Sequence, residues 1–263
     1  MNSLVLAAWL APGAAMAADA PASPHTLTAN IGFTTDYIFR GISQNVGEPA
    51  VQGGIDYSHS SGFYAGVWGS NIGWITGSGA TGNASMELDT YFGIRNSFSG
   101  DFTYDFGFIR YNYLGTYTPA AGGYVDADTD EVYAAIGYKW ITAKYSHGLG
   151  DFLTVPGARG TGYFEINANI PVGDTGLTLG AHAGRQKYKG TFADTLVVAG
   201  TDPTYTDYKL SISKDFNGYV VSLSYTDTDA PSPGYYTYPD PNPGGPSKDW
   251  AKGTGVLSVT HSF

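Results

Sequence analysis

The chain has 263 residues, a formal net charge of -10 and no cysteine, and only 14% of its residues are charged. A soluble domain typically carries about 25% charged residues, and nucleic-acid binding needs clustered Lys and Arg, so nucleic acid is not expected as a partner. The lack of cysteine excludes disulfides and Cys-based metal sites. The 37 Gly and 21 Tyr favour strands and tight turns over helices.

The amino terminus is predicted to be a cleaved signal peptide covering residues 1–17. Leu4 to Leu10 form a short apolar core, and Ala15-Met16-Ala17 supplies the small-x-small pattern of a cleavage site. The alternative is a buried N-terminal helix, but the polar stretch from Asp19 to Thr28 follows directly. We therefore expect export, with residues 18–263 forming one outer-membrane β-barrel domain.

After residue 26 apolar and polar residues alternate with a period of two, which is typical of half-buried strands. In the first segment Tyr37 and Phe39 fall on the apolar face, whereas Asp36 and Arg40 fall on the polar face. Most segments are close to the ~9–11 residues that cross a bilayer at a tilt. Twelve strands are predicted, at 26–42, 48–58, 62–71, 84–98, 101–115, 130–139, 141–148, 161–171, 176–187, 205–215, 218–227 and 253–263. The fifth changes face near Phe108-Ile109, which predicts a β-bulge.

The connections between these segments differ in length depending on whether they follow an even-numbered or an odd-numbered strand. Those after even-numbered strands are short, as at Ser99-Gly100 and Asn217-Gly218, and Asn-Gly is a strong hairpin signal. Those after odd-numbered strands are mostly long, and the 228–251 connection carries a Pro-rich run at 239–243 that we expect to be extended. This sorting is typical of bacterial outer-membrane barrels, whose turns and termini face the periplasm. A soluble all-β fold shares the alternation but has less reason to sort its loops.

The predicted fold is therefore all-β: a single closed antiparallel up-and-down transmembrane β-barrel of about 12 strands. Aromatic residues near strand ends are expected on the lipid-facing surface, at the two membrane interfaces. These are Tyr37, Phe39, Tyr57, Phe63, Phe102, Tyr138, Tyr145 and Tyr219.

The carboxyl terminus carries a candidate insertion signal. Leu257, Val259 and Phe263 share one face, and Phe263 is the last residue. This arrangement resembles the terminal signal through which outer-membrane barrels are recognised for insertion. His261 departs from the usual apolar or aromatic residue at its place.

One region resembles a known family. Residues 37–44 read YIFRGISQ, residues 49–58 read PAVQGGIDYS, and residues 62–68 read GFYAGVW. This run is similar to the TorF family of putative porins. The resemblance implies an outer-membrane barrel, and it supplies neither a substrate nor catalytic residues.

Two motifs suggest ligand chemistry but lack its context. Residues 77–82 match the dinucleotide fingerprint letter by letter, yet no helix follows them, so we interpret them as a surface loop. Asp126, Asp128 and Asp130 begin like a calcium loop, but Glu131 stands where Gly is required. A weak divalent-cation site and a solvated acidic loop facing lipopolysaccharide both remain open. No cofactor and no metal are predicted.

An outer-membrane hydrolase is a second alternative function. His147 lies near a predicted rim, with Ser146 and Asp151 close in sequence. Neighbours in a strand point to opposite faces, so Ser146 and His147 should not pair. We therefore predict a protein that is not an enzyme.

The polar face of the strands predicts a charged barrel interior. Its expected lining residues are Asp36, Arg40, Asp56, Trp68, Glu87, Asp89, Arg95, Arg110, Glu131, Lys144, Glu165 and Lys209. At the narrowest part we expect the three arginines to oppose Asp36, Glu87 and Asp89. Barrels of about eight strands are filled by side chains and those of 16–18 strands leave an aqueous channel, so a twelve-stranded barrel lies between them.

Two functions follow from this interior. The first is a porin or channel in the outer membrane of a Gram-negative bacterium, for passive diffusion of small polar solutes or ions. The alternative is a non-conducting or ligand-binding barrel with an ion-paired lumen. The expected partners are outer-membrane lipid and lipopolysaccharide, the barrel-assembly machinery during insertion, and small polar solutes.

Overall fold

The computed structural model describes residues 23–200, 202–231, 236–238 and 247–263. The predicted signal peptide at 1–17 and the Pro-rich run at 239–243 lie outside these residues. Neither helix in the described part of the chain is long and apolar enough to cross a membrane.

Twelve long strands close into one antiparallel barrel in which every strand pairs with its neighbours in the chain. The elements in chain order are β1 (His25–Thr34), β2 (Ile38–Phe39), β3 (Ile42–Ser43), β4 (Ala50–His59), β5 (Phe63–Asn71), α1 (Trp74–Gly77), β6 (Thr81–Gly82), β7 (Met86–Ser99), β8 (Phe102–Leu114), β9 (Tyr117–Thr118), β10 (Thr129–Tyr138), β11 (Ile141–Gly148), β12 (Gly162–Pro171), β13 (Leu177–Lys187), α2 (Thr191–Val198), β14 (Tyr205–Phe216), β15 (Tyr219–Thr228), β16 (Thr237–Tyr238), β17 (Lys248–Asp249) and β18 (Thr254–Ser262). The twelve barrel strands are β1, β4, β5, β7, β8, β10, β11, β12, β13, β14, β15 and β18. The first and last of these close the barrel, with Asn30 opposite Ser262. The predicted fold is confirmed.

The outer surface of the barrel is apolar because alternate residues of every strand point away from the interior. On β15, Leu223 and Tyr225 are exposed, whereas Ser222 and Ser224, which alternate with them, point inward and are half-buried. Five of the predicted interface aromatics are exposed on this surface: Phe63, Phe102, Tyr138, Tyr145 and Tyr219. A belt of exposed large apolar side chains on this scale exceeds what a monomeric soluble protein presents to water, and it suits lipid.

The first strand ends at Thr34 rather than at residue 42, so the predicted outward position of Tyr37 and Phe39 is wrong. Both rings are buried inside the barrel, at 4% and 5% exposure. The chain turns inward here and forms a small hairpin of β2 and β3, with Phe39 paired to Ile42. Its two-residue turn is Arg40-Gly41, and both residues have positive φ, as a type I′ hairpin turn requires.

The predicted β-bulge in the fifth barrel strand is also wrong. β8 pairs without interruption with both neighbours across Phe108 and Ile109. The strict alternation therefore continues, which places Ile109 and Tyr111 inside and Arg110 on the outer face. The one irregularity in this part of the barrel lies between Ser97 and Ser99 of β7.

The two ends of the barrel differ as the loop lengths predicted. At one end, which we call the turn end, strands are joined by tight turns such as Asn217-Gly218, and both His25 and Ser262 lie there. At the other, the loop end, the connections are long and contain both helices and the six short strands.

Candidate functional site

The loop end of the barrel is occupied by residues 35–49, the connection between β1 and β4, which we call the plug. It is held by backbone hydrogen bonds, from Thr35 N to Leu257 O at 2.9 Å and from Ser43 N to Trp250 O at 2.9 Å. The Gln44 carbonyl accepts two more, from Gly73 and Trp74. The plug is therefore docked against both the barrel wall and the loops above it.

Arg40 is the centre of the plug's attachment. Its Nη2 donates to both carboxylate oxygens of Glu131, at 2.8 and 3.0 Å, and its Nη1 donates to Gln186 Oε1 at 2.8 Å. The guanidinium also lies 4.4 Å from the centre of the Tyr163 ring. Arg40 is 8% exposed and Glu131 is fully buried. Removing one partner of such a buried ion pair is strongly unfavourable because the other charge is left uncompensated.

Gly41 brings the plug into direct contact with the wall. A Cβ at this position would lie 2.5 Å from the Asp207 Cβ and 2.6 Å from the Thr228 Cγ2. With φ at +79°, the backbone is also in the region that favours glycine. A side chain at residue 41 is therefore incompatible with the docked plug.

Asp36 is buried at the base of the plug and accepts a hydrogen bond from Ser43 Oγ at 2.7 Å. Burial raises the pKa of Asp36 to about 6, against the lowering effect of the Ser43 hydrogen bond. Because the docked plug holds this proton more tightly than a solvated carboxyl does, docking is linked to pH.

A pair of carboxylates lies against the inner side of the plug. Glu87 and Asp89 are 1% and 0% exposed, and the Tyr37 hydroxyl donates to Glu87 Oε1 at 3.1 Å. Among the described residues, no other donor group reaches either Asp89 oxygen or Glu87 Oε2, and the two acidic side chains face each other. Burying such groups costs free energy, whereas the Tyr37 hydrogen bond and the Arg40–Glu131 pair hold the plug in place.

A polar network crosses the wall on the strands that face the plug. His182 Nε2 lies 2.8 Å from Asp207 Oδ1, and its Nδ1 lies 2.7 Å from Asn167 Oδ1. The Asn167 amide orientation is fixed because its Nδ2 donates to Glu165 at 2.9 Å. Both ring nitrogens of His182 therefore lie within hydrogen-bond distance of side-chain oxygen atoms. The Tyr163 hydroxyl donates to Asp207 at 2.9 Å and completes the cluster.

The network continues around the wall towards β8. Lys144 Nζ lies 3.9 Å from Glu165 and 4.4 Å from the centre of the Tyr133 ring. The Tyr133 and Tyr64 hydroxyls are 2.5 Å apart, and Tyr64 donates to Asp105 at 2.6 Å. Charges of both signs are thus held in fixed positions on one side of the lumen.

The inward tyrosines lie along the wall because glycines face them on neighbouring strands. A Cβ on Gly66 would lie 2.6 Å from the Tyr91 ring, and one on Gly93 would overlap the Tyr64 hydroxyl. Rings laid flat over glycine leave the centre of the barrel less obstructed than rings that project inward. Tyr91 also donates to Asp56 at 2.6 Å, and Arg95 lies over the Tyr64 ring.

The opposite side of the lumen is lined by small polar side chains, which we call the hydroxyl wall. Its members are Thr28, Asn30, Ser211, Ser213, Ser222, Ser224, Ser258 and Thr260. All point inward and are half-buried, so they keep accessible surface within the barrel. Ser213, Ser222 and Ser258 lie side by side on three neighbouring strands. Side chains on this side of the interior are therefore less buried than those that face the plug.

Eleven of the twelve predicted lining residues lie inside the barrel or the plug: Asp36, Arg40, Asp56, Trp68, Glu87, Asp89, Arg95, Glu131, Lys144, Glu165 and Lys209. Their predicted opposition is not found, because Arg40 pairs with Glu131 rather than with Asp36, Glu87 or Asp89. His182, Asp207, Tyr163 and Gln186 also face the interior but were not among the predicted lining residues. The available signal was the alternation along their strands, which places each of these residues on the inward face.

Arg110 is the exception, since it lies on the outer face near the loop end. It pairs with Asp128 and Asp130, both at 3.0 Å. Two members of the acidic stretch that begins at Asp126 are thus bridged by a guanidinium. Within the described ranges, no group of three or more His, Asp and Glu side chains is arranged to hold a metal ion.

The three residues considered for hydrolysis do not assemble. Ser146 is buried inside the barrel, whereas His147 is on the outer face beside Tyr145. Asp151 instead accepts a hydrogen bond from Gly157 N at 2.6 Å.

At the carboxyl terminus, Leu257, Val259 and Phe263 share the outer face as their alternation predicted. His261 lies between aromatic rings, stacked on Tyr219 at 4.3 Å and edge-on to Phe263 at 4.6 Å. Its ring therefore packs in the outer belt as an aromatic residue would, and it reaches a backbone carbonyl at 2.8 Å. Recognition of this segment for insertion stays a prediction.

These features define a transmembrane β-barrel of twelve strands with an inner plug. Residues 18–263 match the family model Gcw_chp, described as a bacterial protein of unknown function, and the chain belongs to this family. The similarity of residues 36–71 to the TorF family stays a prediction. No curated protein sequence matches the chain.

Several solved structures of outer-membrane proteins are similar at the level of the barrel. OccAB3 of Acinetobacter baumannii has a TM-score of 0.42 at 10% identity, over 88% of this chain and 59% of that one. OprD of Pseudomonas aeruginosa has a TM-score of 0.38 at 11% identity, over 91% of this chain and 66% of that one. The COG4313 outer-membrane channel of Pseudomonas putida F1 has a TM-score of 0.48 at 10% identity, over 96% and 98%. The likeness is weak, and the chain spans about three fifths of OccAB3.

Proposed function

We propose that this protein is an outer-membrane channel for small polar solutes or ions, held closed by its plug. The hydroxyl wall carries this proposal, because inward side chains with accessible surface, such as Ser222 and Ser258, line a passage for water. A barrel with a purely structural role has no need to leave one side of its interior unpacked. The plug obstructs the lumen at the loop end, and buried inward rings such as Tyr64 and Tyr133 line part of the wall below it.

A non-conducting barrel that binds a ligand is the second candidate. It is favoured by the fully buried contact of Arg40 with Glu131, which closes the lumen tightly. The two candidates differ in one respect. The plug of a channel must leave its docked position, whereas the plug of a closed barrel is permanent.

The experiment is planar-bilayer recording of the purified full-length protein in KCl, with folding checked by heat-modifiable gel mobility. We expect infrequent openings separated by long closures. Complete absence of channel events from correctly folded protein, at any voltage the bilayer withstands, would leave the closed barrel as the better account.

The proposal includes the location and the partners. The turn end faces the periplasm, the chain is exported by its signal peptide, and the barrel-assembly machinery inserts it into the outer membrane. Lipid and lipopolysaccharide contact the outer belt, and we propose no enzymatic activity. Cell fractionation of a Gram-negative host that expresses the full chain tests this location, since a soluble barrel would appear in the periplasmic fraction.

Conduction should depend on pH through Asp36. Since burial raises the pKa of Asp36 to about 6, docking of the plug is favoured at pH 4 to 5, and this contribution is lost as pH rises through 6. We expect open probability in bilayers to increase between pH 5 and pH 7.5, and Asp36→Asn to flatten this increase. Asp215→Asn, an exposed acid beside a turn at the turn end, is the matched control. An unchanged pH response in Asp36→Asn would assign the dependence to another group.

A further inference from the structure

Between the plug and the long connections of the loop end lies a partly open cavity of about 190 Å³. At about 30 Å³ per water, it holds about six water molecules or one small ring compound. Its floor is the plug hairpin, and its sides come from the connections after β5 and β8 and from the start of β14. A compound bound here would contact the element that closes the lumen.

Aromatic side chains dominate the lining of this cavity. Eight of its 21 lining residues are aromatic, among them Phe39, Trp74, Tyr117, Tyr205 and Trp250. They come from separate segments of the chain, from the plug to the connection before β18. Several flat rings that converge from different directions on a small space form surfaces for a flat or chair-shaped ring.

The charge and polarity of the lining residues indicate which kind of ring compound the cavity would bind. Arg40 is the one charged side chain among the described lining residues, and Glu131 already compensates it. A charged ligand would therefore find no free counter-charge. Among the described residues, the indole N–H of Trp74 in this lining has no hydrogen-bond partner, so a fully apolar ligand would leave this donor unsatisfied. The lining suits a neutral ring with an apolar face and a polar edge.

We propose that this cavity, the vestibule, binds a neutral pyranose sugar. The C–H face of the sugar packs on the aromatic rings, and its hydroxyls exchange hydrogen bonds with the hydroxyl and amide groups of the lining. This inference names the class of solute that the proposed channel would carry. Only the passage of the sugar through the barrel rests on the proposed channel function. Binding itself requires only the vestibule.

The experiment is a fluorescence titration of the folded protein in detergent, using Trp74 and Trp250 as internal reporters. Methyl α-glucopyranoside and methyl α-galactopyranoside are the probes, and glucuronate, glucosamine and benzoate are the comparison compounds. We expect saturable, millimolar binding of at least one neutral pyranoside, and binding of the three charged compounds that is about tenfold or more weaker.

Two variants locate the site. Tyr205→Ala and Trp74→Ala each remove one ring of the vestibule and should weaken sugar binding by about tenfold, as loss of an aromatic contact predicts. Tyr208→Ala is the control, because Tyr208 is on the same strand as Tyr205 but is exposed on the outer surface. Trp74 lies outside the barrel strands, so its variant remains informative if Tyr205→Ala fails to fold.

The proposal is overturned if neither pyranoside binds, if a charged compound binds more tightly than both, or if both variants bind like the control. The channel is tested separately, in bilayers without sugar. Sugar binding without conductance would remove the channel and keep the vestibule, and conductance without sugar binding would do the reverse.

Discussion

Replacing Arg40 with Ala is expected to release the plug and raise the open probability of the barrel by about two to three orders of magnitude. The change removes both hydrogen bonds to Glu131 and the one to Gln186. It leaves Glu131 buried without a counter-charge while the plug stays docked, a cost of about 3–5 kcal/mol. Release of the plug allows water to reach this carboxylate, so the equilibrium moves towards the open barrel.

Single-channel recording of wild type and Arg40→Ala under identical conditions measures this effect. Arg40→Lys should give an intermediate result, because an ammonium group keeps the charge but has no second nitrogen to donate to Gln186 while the first contacts Glu131. Arg110→Ala is the matched control, since Arg110 forms its ion pairs on the outer face. Equal open probabilities in wild type and Arg40→Ala would show that the ion pair does not hold the plug.

The second large effect is expected when a residue of the hydroxyl wall is chemically modified, because the added group should block the ion current. In the Arg40→Ala background, Ser222→Cys should react with a cationic methanethiosulfonate reagent, and the added group should lower the current by roughly half or more in a narrow barrel of this size. The chain has no cysteine of its own, so the introduced thiol is the only reactive one.

Leu223→Cys is the control for this experiment. Leu223 neighbours Ser222 but is 57% exposed on the outer belt, where lipid shields it from the reagent. Reaction at residue 222 without any change in current would move the conducting path away from the hydroxyl wall. Block by modification of residue 223 would contradict the assignment of the two faces.

The barrel could be predicted from sequence because its pattern is local. Leu223 and Ser222 alternate within a few residues, and Asn217-Gly218 marks its turn without reference to the rest of the chain. The same local reasoning failed for Tyr37 and Phe39. Alternation assigns two faces but cannot indicate that both become buried when the segment enters the lumen. The Arg40-Gly41 turn was the available signal.

The contents of the lumen were harder to predict because partners come from distant strands. His182 contacts Asn167 on the preceding strand and Asp207 on the following one, so nothing adjacent in sequence marks it. The inward position predicted for Arg110 depends on a bulge at Phe108-Ile109, which the strand does not have. Unbroken alternation along the strand predicts that Arg110 lies on the outer face, together with its ion-pair partner Asp130.

The two interpretations of the charged interior apply to different parts of one structure. The ion-paired closure lies at the plug, where Arg40 contacts Glu131. The proposed aqueous passage lies along the hydroxyl wall, where Ser222 and Ser258 are only half-buried. A channel that opens when the plug moves is consistent with both the ion-paired closure and the proposed passage.

The most direct test removes that connection. Thr34 and Ala50 are paired neighbours at the ends of β1 and β4, so residues 35–49 can be replaced by a short Gly-Ser turn without changing the barrel register. Planar-bilayer conductance of this plugless barrel is the decisive measurement. We predict stable, continuously open channels where wild type opens rarely. A correctly folded plugless barrel that does not conduct would contradict the account.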